Sequence, residues 1–378
     1  MKVRGQWYAT GVLAAVHGLL LFAALNLGVA WFLRAHPVDP VTLSFGEKPF
    51  QLVYPGWSRE DLHQLLLETW SRPFAFEPFT DGKEPPYRGK FVNVDAAGFR
   101  RSRGGSPWPP DRGALSVFVF GGSTTFGYGV ADDETVVSAL QAWLAERLTA
   151  RPVRCYNFGR GAYYSSQERA LFEELLEADS VPDAAVFIDG LNEFVYDNPQ
   201  LTGELRQFVR FPVRASVATL WHALPLRQLV SRLKFRTGLR PAPSNVEKYD
   251  DPGRLERQIE RYLANRRMLR ESAADRGVLP LFVWQPIPTY KYDLRHHLFG
   301  TYDFGLNYYS GFGYRRLEPR RKELSGPDAV WAADIQEGVR EPLYVDDIHY
   351  TAAMSRRLAE TIGQALLERG ILADGIQR

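Results

Sequence analysis

From Ser116 to Leu366 the chain alternates short apolar runs with stretches whose apolar residues recur at helical spacing. Val117–Phe120, Val153–Asn157, Ala184–Ile188 and Val278–Trp284 read as strands buried on both faces. Thr135–Leu148 reads as a helix, with Val136, Leu140, Trp143 and Leu144 on one face, and Gln167–Glu177 as a second. Thr351 caps a final helix marked by Met354, Leu358, Ile362 and Leu366. This strand–helix alternation predicts an α/β fold, a parallel sheet with helices on both faces.

The amino terminus follows a different pattern. Tyr8 to Leu33 is almost wholly apolar and carries no charge, long enough to cross roughly 30 Å of hydrocarbon as one helix. Lys2 and Arg4 precede it, and Trp7, Tyr8 and Trp31 sit near its ends like interfacial anchors. Residues 1–34 are therefore expected to be a cytoplasmic tail and a single-pass anchor in the cytoplasmic membrane, with the remainder on the extracytoplasmic side. Leu33-Arg34-Ala35-His36 makes a poor cleavage site, which argues against a removed signal peptide. His17 and Asn26 inside the span are read as tolerated polar residues.

Residues 35–90 are rich in proline and aromatics and read as a connector, with one helix at Arg59–Trp70. Residues 91–378 read as the main domain, interrupted by an insertion at about 200–250. Within it, Leu201 to Arg240 holds eight basic residues and one acidic, Glu204. Leu226, Leu229, Val230 and Leu233 form an apolar stripe beside Arg227, Arg232, Lys234 and Arg236. A basic amphipathic segment at 206–240 can lie on an anionic membrane surface, or pack its stripe on the domain and leave the charges solvated. Tyr249 to Asp275 reads as mixed-charge helix.

Composition narrows the field. The chain has 378 residues, 45% hydrophobic and 24% charged, the balance of a globular protein. A formal charge of +2, with no basic tail, argues against a nucleic-acid partner. Cys155 is the only cysteine, which excludes an intrachain disulfide and a cysteine metal cluster. His296-His297 with Asp293 is a crude ligand set whose spacing matches no common metal site, and no cofactor is expected.

The chemistry gathers on loops after the strands. Gly121-Gly122-Ser123 ends the first apolar run and presents a hydroxyl at the carboxyl edge of a sheet. Tyr344-Val345-Asp346-Asp347-Ile348-His349 supplies a base, His349, and Asp346 three residues earlier to hold its Nδ1; Asp347 is the rival orienting acid. Asp189-Gly190-Leu191-Asn192 offers an amide N–H, and Asn157-Phe158-Gly159-Arg160-Gly161-Ala162 a backbone N–H. On their own these could equally be a helix cap and glycine turns.

Together the four segments resemble the blocks of the SGNH or GDSL hydrolase superfamily: Gly122-Ser123, Asn157 to Ser166, Gly190-x-Asn192 and Asp346-x-x-His349. The resemblance spans roughly residues 90 to 370, outside the insertion. It implies a flavodoxin-like three-layer α/β/α sandwich. It implies Ser123 as nucleophile, His349 as base, Asp346 as its orienter, and Ser123 N–H and Asn192 as oxyanion donors. Two residues depart from the pattern. Gly122 stands where Asp is usual, and Ala162 stands where the donor glycine is usual; either Ala162 or Gly161 fills that place.

The expected activity is that of a serine esterase or O-acyltransferase. Acetyl esters of envelope or extracellular polysaccharide are the first substrate class, and lipid or lysophospholipid esters the alternative. The contrasting expectation is a scaffold that keeps the fold and binds acylated glycan, lipid or a membrane partner without turnover.

Overall fold

The computed structural model describes residues 2–72, 75–196, 224–236, 245–299 and 303–372, with residues 213, 216, 217, 220 and 221. For residues 2–9 and 234–236 it describes backbone alone. The chain divides into two compact units, Met1–Ser44 with Glu204–Ala242, and Phe45–Gly203 with Pro243–Arg378.

In the first unit a single helix, α1, runs Lys2–Ala35. Its apolar part, Thr10–Ala35, has 26 residues. At 1.5 Å per residue that is about 39 Å, enough to cross a bilayer as a candidate span. His17 Nδ1 is bonded to its own helix, at Leu13 O, 2.7 Å. Asn26 is more informative. Its Nδ2 donates to Phe22 O at 2.9 Å, and its Oδ1 accepts the N–H of Leu226 at 3.2 Å. Leu226 lies in the first turn of a helix at Pro225–Arg236, where backbone N–H groups lack helical partners. Asn26 therefore caps a second helix. On that helix the apolar stripe is split: Leu226 and Leu229 are half-buried, whereas Val230 and Leu233 are exposed. Arg206, Arg210, Arg214 and Arg240 lie outside the described residues, as do the side chains of Lys2, Arg4, Trp7, Tyr8, Lys234 and Arg236.

The second unit carries the sheet. Its strands are β1 (Leu115–Gly121), β2 (Val153–Asn157), β3 (Ala184–Asp189), β4 (Leu279–Trp284) and β5 (Ala329–Trp331). They lie in the order β2-β1-β3-β4-β5, every pairing parallel. This is the flavodoxin-like order expected from the resemblance, with its switch point between β1 and β3.

Strand alternation sorts the core into two layers. Val117, Val119, Val186, Ile188, Leu281 and Val283 face one way. There they meet Leu140 and Leu144 of Val136–Ala145 and Leu358 and Ile362 of Ala352–Glu368. Phe118, Phe120, Phe187 and Phe282 face the other way, toward Phe172 and Leu176 of Ser165–Glu177 and Leu269 of Pro252–Asp275. Phe158, Phe120, Phe187 and Phe282 stack in a row, with centroids 5.5, 5.1 and 5.4 Å apart. Each such buried side chain contributes about 1.5–3 kcal/mol.

Thr351 caps the last helix as expected, accepting from Met354 N, and Thr135 proves to be a cap too, accepting from Ser138 N. Among the described residues, the stretch 40–94 also holds helices Pro40–Phe45 and Lys48–Val53 and four short strands that the pattern does not forecast, nor does it forecast β5 or the helix Asn307–Leu317. β5 is three residues, too short to show a period. The helix Asn307–Leu317 contains two glycines, poor helix formers, and is held by packing.

Candidate active site

Ser123 follows β1 directly and opens a single helical turn, Ser123–Phe126. The strand ends at the sheet's switch point, so the hydroxyl is delivered to the edge where loops from β2, β3 and the last helix converge. Ser123 Oγ lies 2.8 Å from His349 Nε2, and His349 Nδ1 lies 2.7 Å from Asp346 Oδ2. All three are buried, with 8, 4 and 2% of their surfaces exposed. Asp346 Oδ1 also accepts the backbone N–H of Ile348 and of His349, at 2.9 and 2.7 Å. Burial alone would raise this carboxyl; the His349 imidazole and these donors outweigh it and hold Asp346 below the usual range. An ionised Asp346 accepts Nδ1–H, so the Nε2 lone pair faces the serine hydroxyl. Such a series can take the hydroxyl proton as Oγ attacks.

Asp347 is not the carboxylate bonded to His349. Its carbonyl accepts from His297 Nε2 at 3.2 Å, while burial and the Asp346 charge raise its own carboxyl to about 6. His297 holds the loop from beneath: its Nδ1 accepts Phe299 N–H at 3.1 Å, and its ring stacks on Tyr344 at 5.1 Å. Burial lowers its pKa to about 4. Asp293 is engaged instead by Arg295, and among the described residues no three His, Cys, Asp or Glu are grouped to hold a metal.

A pH dependence follows from His297. An unfolded histidine titrates near 6.5, so between pH 6.5 and 4 the unfolded chain binds a proton that the folded chain refuses. Stability from this site falls as pH falls, by about 3 kcal/mol in all. Asp347 slopes the other way, because its raised pKa favours the folded state at low pH. Urea midpoints of the parent and His297→Gln are therefore expected to differ most above pH 6.5 and to converge toward pH 4. A constant difference across that range would refute the assignment.

Asn192 follows β3 in the short turn Asn192–Phe194. Its Nδ2 donates to Tyr163 O at 2.7 Å, which leaves a second N–H for another acceptor. Gly122 lies against this amide. A Cβ placed there would lie 2.4 Å from Asn192 Nδ2 and 3.1 Å from Tyr163 O. A side chain at position 122 would have to displace the amide.

The other departure is equally specific. Ala162, not Gly161, takes the left-handed position in the second-block turn, with φ 63°. An L-residue there costs about 1–2 kcal/mol, so the turn carries strain where the pattern has glycine. Behind Asn192, Asp189 and Glu168 face each other inside the protein. Burial first, and neighbouring carboxylates second, push both upward.

Several supporting residues carry no sequence signal. Gln285 Oε1 accepts from Thr124 Oγ1 at 2.8 Å and from Tyr350 OH at 2.9 Å, tying the neighbours of Ser123 and His349 together. Arg100 is fully buried. It donates to the carbonyls of Phe126, Gly127 and Val130 and pairs with Asp132 at 2.8 Å, fixing the loop after Ser123. The rings of Trp70 and Tyr128 meet the His349 imidazole, and Glu84 accepts from Tyr128 OH.

No family model and no curated protein sequence matches the chain. Among solved structures, it is similar to a lipase from a goat rumen metagenome at 16% identity and a TM-score of 0.40, covering 67% of this chain and 97% of that one. It is similar to a lipase/acylhydrolase from Enterococcus faecalis at 12% identity and a TM-score of 0.38, covering 70% and 100%. It is also similar to a member of the lipolytic protein G-D-S-L family from Veillonella parvula DSM 2008, at 14% identity and a TM-score of 0.34, covering 68% and 97%.

Proposed function

We propose that the protein is a serine esterase or O-acyltransferase of SGNH type. One observation carries the reading: the buried hydrogen-bonded series Ser123–His349–Asp346, at 2.8 and 2.7 Å, with the Asn192 amide packed over Gly122 beside it. Ser123 Oγ attacks an acyl carbonyl as its proton passes to His349 Nε2. The oxyanion is held by the N–H groups of Ser123 and Ala162 and by Asn192 Nδ2. The leaving alcohol takes the proton from Nε2, and an acyl-serine remains. Water, or a sugar hydroxyl, then gives its proton to Nε2 and accepts the acyl group, and the leaving Ser123 Oγ takes that proton back from Nε2. Asp346 stabilises the imidazolium that forms in each half.

The substrate class proposed is an acyl ester, acetyl first, of envelope or extracellular polysaccharide. The anchor Thr10–Ala35 would hold the second unit on the extracytoplasmic face, with Lys2 and Arg4 in the cytoplasm. A lipid ester is the second reading. It is favoured by the helix that Asn26 caps, whose exposed Val230 and Leu233 suit a membrane interface.

Fluorophosphonate labelling of the full-length protein in detergent tests the chemistry. Labelling at Ser123, absent from Ser123→Ala, is expected. An unlabelled parent, under conditions that label a known esterase, would make the chain a scaffold that binds without turnover.

A further inference from the structure

His349 is enclosed on the sides that its hydrogen bonds leave open. The ring of Tyr128 lies nearly parallel to the imidazole, with centroids 5.3 Å apart and 21° between planes. Trp70 meets the imidazole edge-on, at 5.2 Å and 74°. The two aromatic rings also meet each other, at 4.9 Å and 89°. The imidazole therefore sits in an aromatic corner made by residues 70 and 128, far from it in sequence.

Both walls are themselves held. Tyr128 OH donates to Glu84 Oε1 at 2.6 Å, and Glu84 Oε2 accepts Arg72 Nη2 at 2.9 Å. The Arg72 and Glu84 side chains are 3 and 2% exposed. Burial and the Glu84 charge keep Tyr128 a neutral phenol. Trp70 closes the helix Arg59–Trp70, whose Glu68 carboxylate accepts the N–H groups of Lys90, Phe91 and Val92 at 2.8, 2.8 and 2.9 Å. The connector is thus held beside His349.

A cation within about 6 Å of an aromatic centroid is attracted by its π-face. An imidazolium at His349 would meet such a face on Tyr128, with the Glu84 charge balanced by Arg72.

We propose that Trp70 and Tyr128 are positioning residues for His349: they set the plane of the imidazole so that Nε2 stays on Ser123 Oγ, and Tyr128 stabilises the imidazolium. This rests on reading Ser123 as nucleophile and His349 as base. It extends the active site into residues 59–90.

The test is hydrolysis of p-nitrophenyl acetate by the full chain in detergent, with kcat and KM measured separately. Trp70→Met and Tyr128→Met keep apolar bulk and lose the ring. Each is expected to lower kcat about 10- to 100-fold, as misplacement of a reacting group does, with KM within twofold. Trp70→Phe and Tyr128→Phe are expected to keep kcat within threefold of the parent. Methionine variants at parental kcat would overturn the proposal. So would a raised KM at unchanged kcat, which would make these rings a substrate wall. Should a methionine variant fail to fold, the phenylalanine variant of that residue decides: retained kcat supports the proposal, and a larger loss in a protein that melts normally overturns it. Ser123→Ala separates the two levels, because parental activity in that variant removes the nucleophile itself, whatever the aromatic variants do.

Discussion

Ser123→Ala is expected to lower kcat for p-nitrophenyl acetate by at least about 10³-fold, and by up to about 10⁶-fold if acyl transfer runs wholly through the serine. Without Oγ no acyl-serine can form. What remains is the background that oxyanion donors provide for attack by water. The loss should appear in kcat, because the hydroxyl is used in bond making rather than in holding the substrate. Ser123 is small and lies at the start of a helical turn, so the melting temperature should stay close to the parent's. Asp346→Asn should lie between the two: it removes the charge that stabilises the imidazolium and leaves His349 and Ser123 in place. A kcat for Ser123→Ala within tenfold of the parent, at normal stability, would end the esterase reading.

Gly122→Ala should cost about 10²- to 10³-fold in kcat, the loss expected when one oxyanion donor is removed. The reason is steric and local. The new methyl would overlap Asn192 Nδ2 at 2.4 Å. The amide is the end of a flexible side chain, so it gives way, while the backbone at Tyr163 O is less free to move. Asn192→Ala removes the same donor directly and should cause a loss of similar size. The double variant is then expected to be little worse than either single variant, since both act through one amide. Additive losses would show that Gly122 acts through something other than Asn192.

The enclosing parts of the site were far less legible than its reacting groups. Trp70, Glu84 and Tyr128 carry no motif, and their relation to His349 exists only because two loops and a helix end pack at one point. Gln285 and Arg100 are similar cases. Each is an ordinary polar residue until burial forces it to find partners. The choice between Asp346 and Asp347 was also open in sequence. The turn closes with two backbone N–H groups on Asp346 Oδ1, which aims Oδ2 at the imidazole. His297 meanwhile takes the Asp347 carbonyl. At Ala162 the residue type argued against a left-handed turn, yet the turn is there. The surrounding loops over-determine the backbone and absorb a cost of about 1–2 kcal/mol.

Residue pattern by itself determined the α/β class, the strands that form the sheet centre, the capped last helix and the apolar amino-terminal helix. These depend on periodicity and length, which are local properties. It also marked Ser123, Asn192, Asp346 and His349, because strand ends in such sheets converge on one edge. The tertiary structure alone decided that Ser123 and His349, 226 residues apart, meet at 2.8 Å, that Asp346 rather than Asp347 bonds the imidazole, what a side chain at position 122 would meet, and that the connector's Trp70 borders the imidazole. Those outcomes depend on how loops close and side chains compete for the same few ångströms, and no local pattern encodes that.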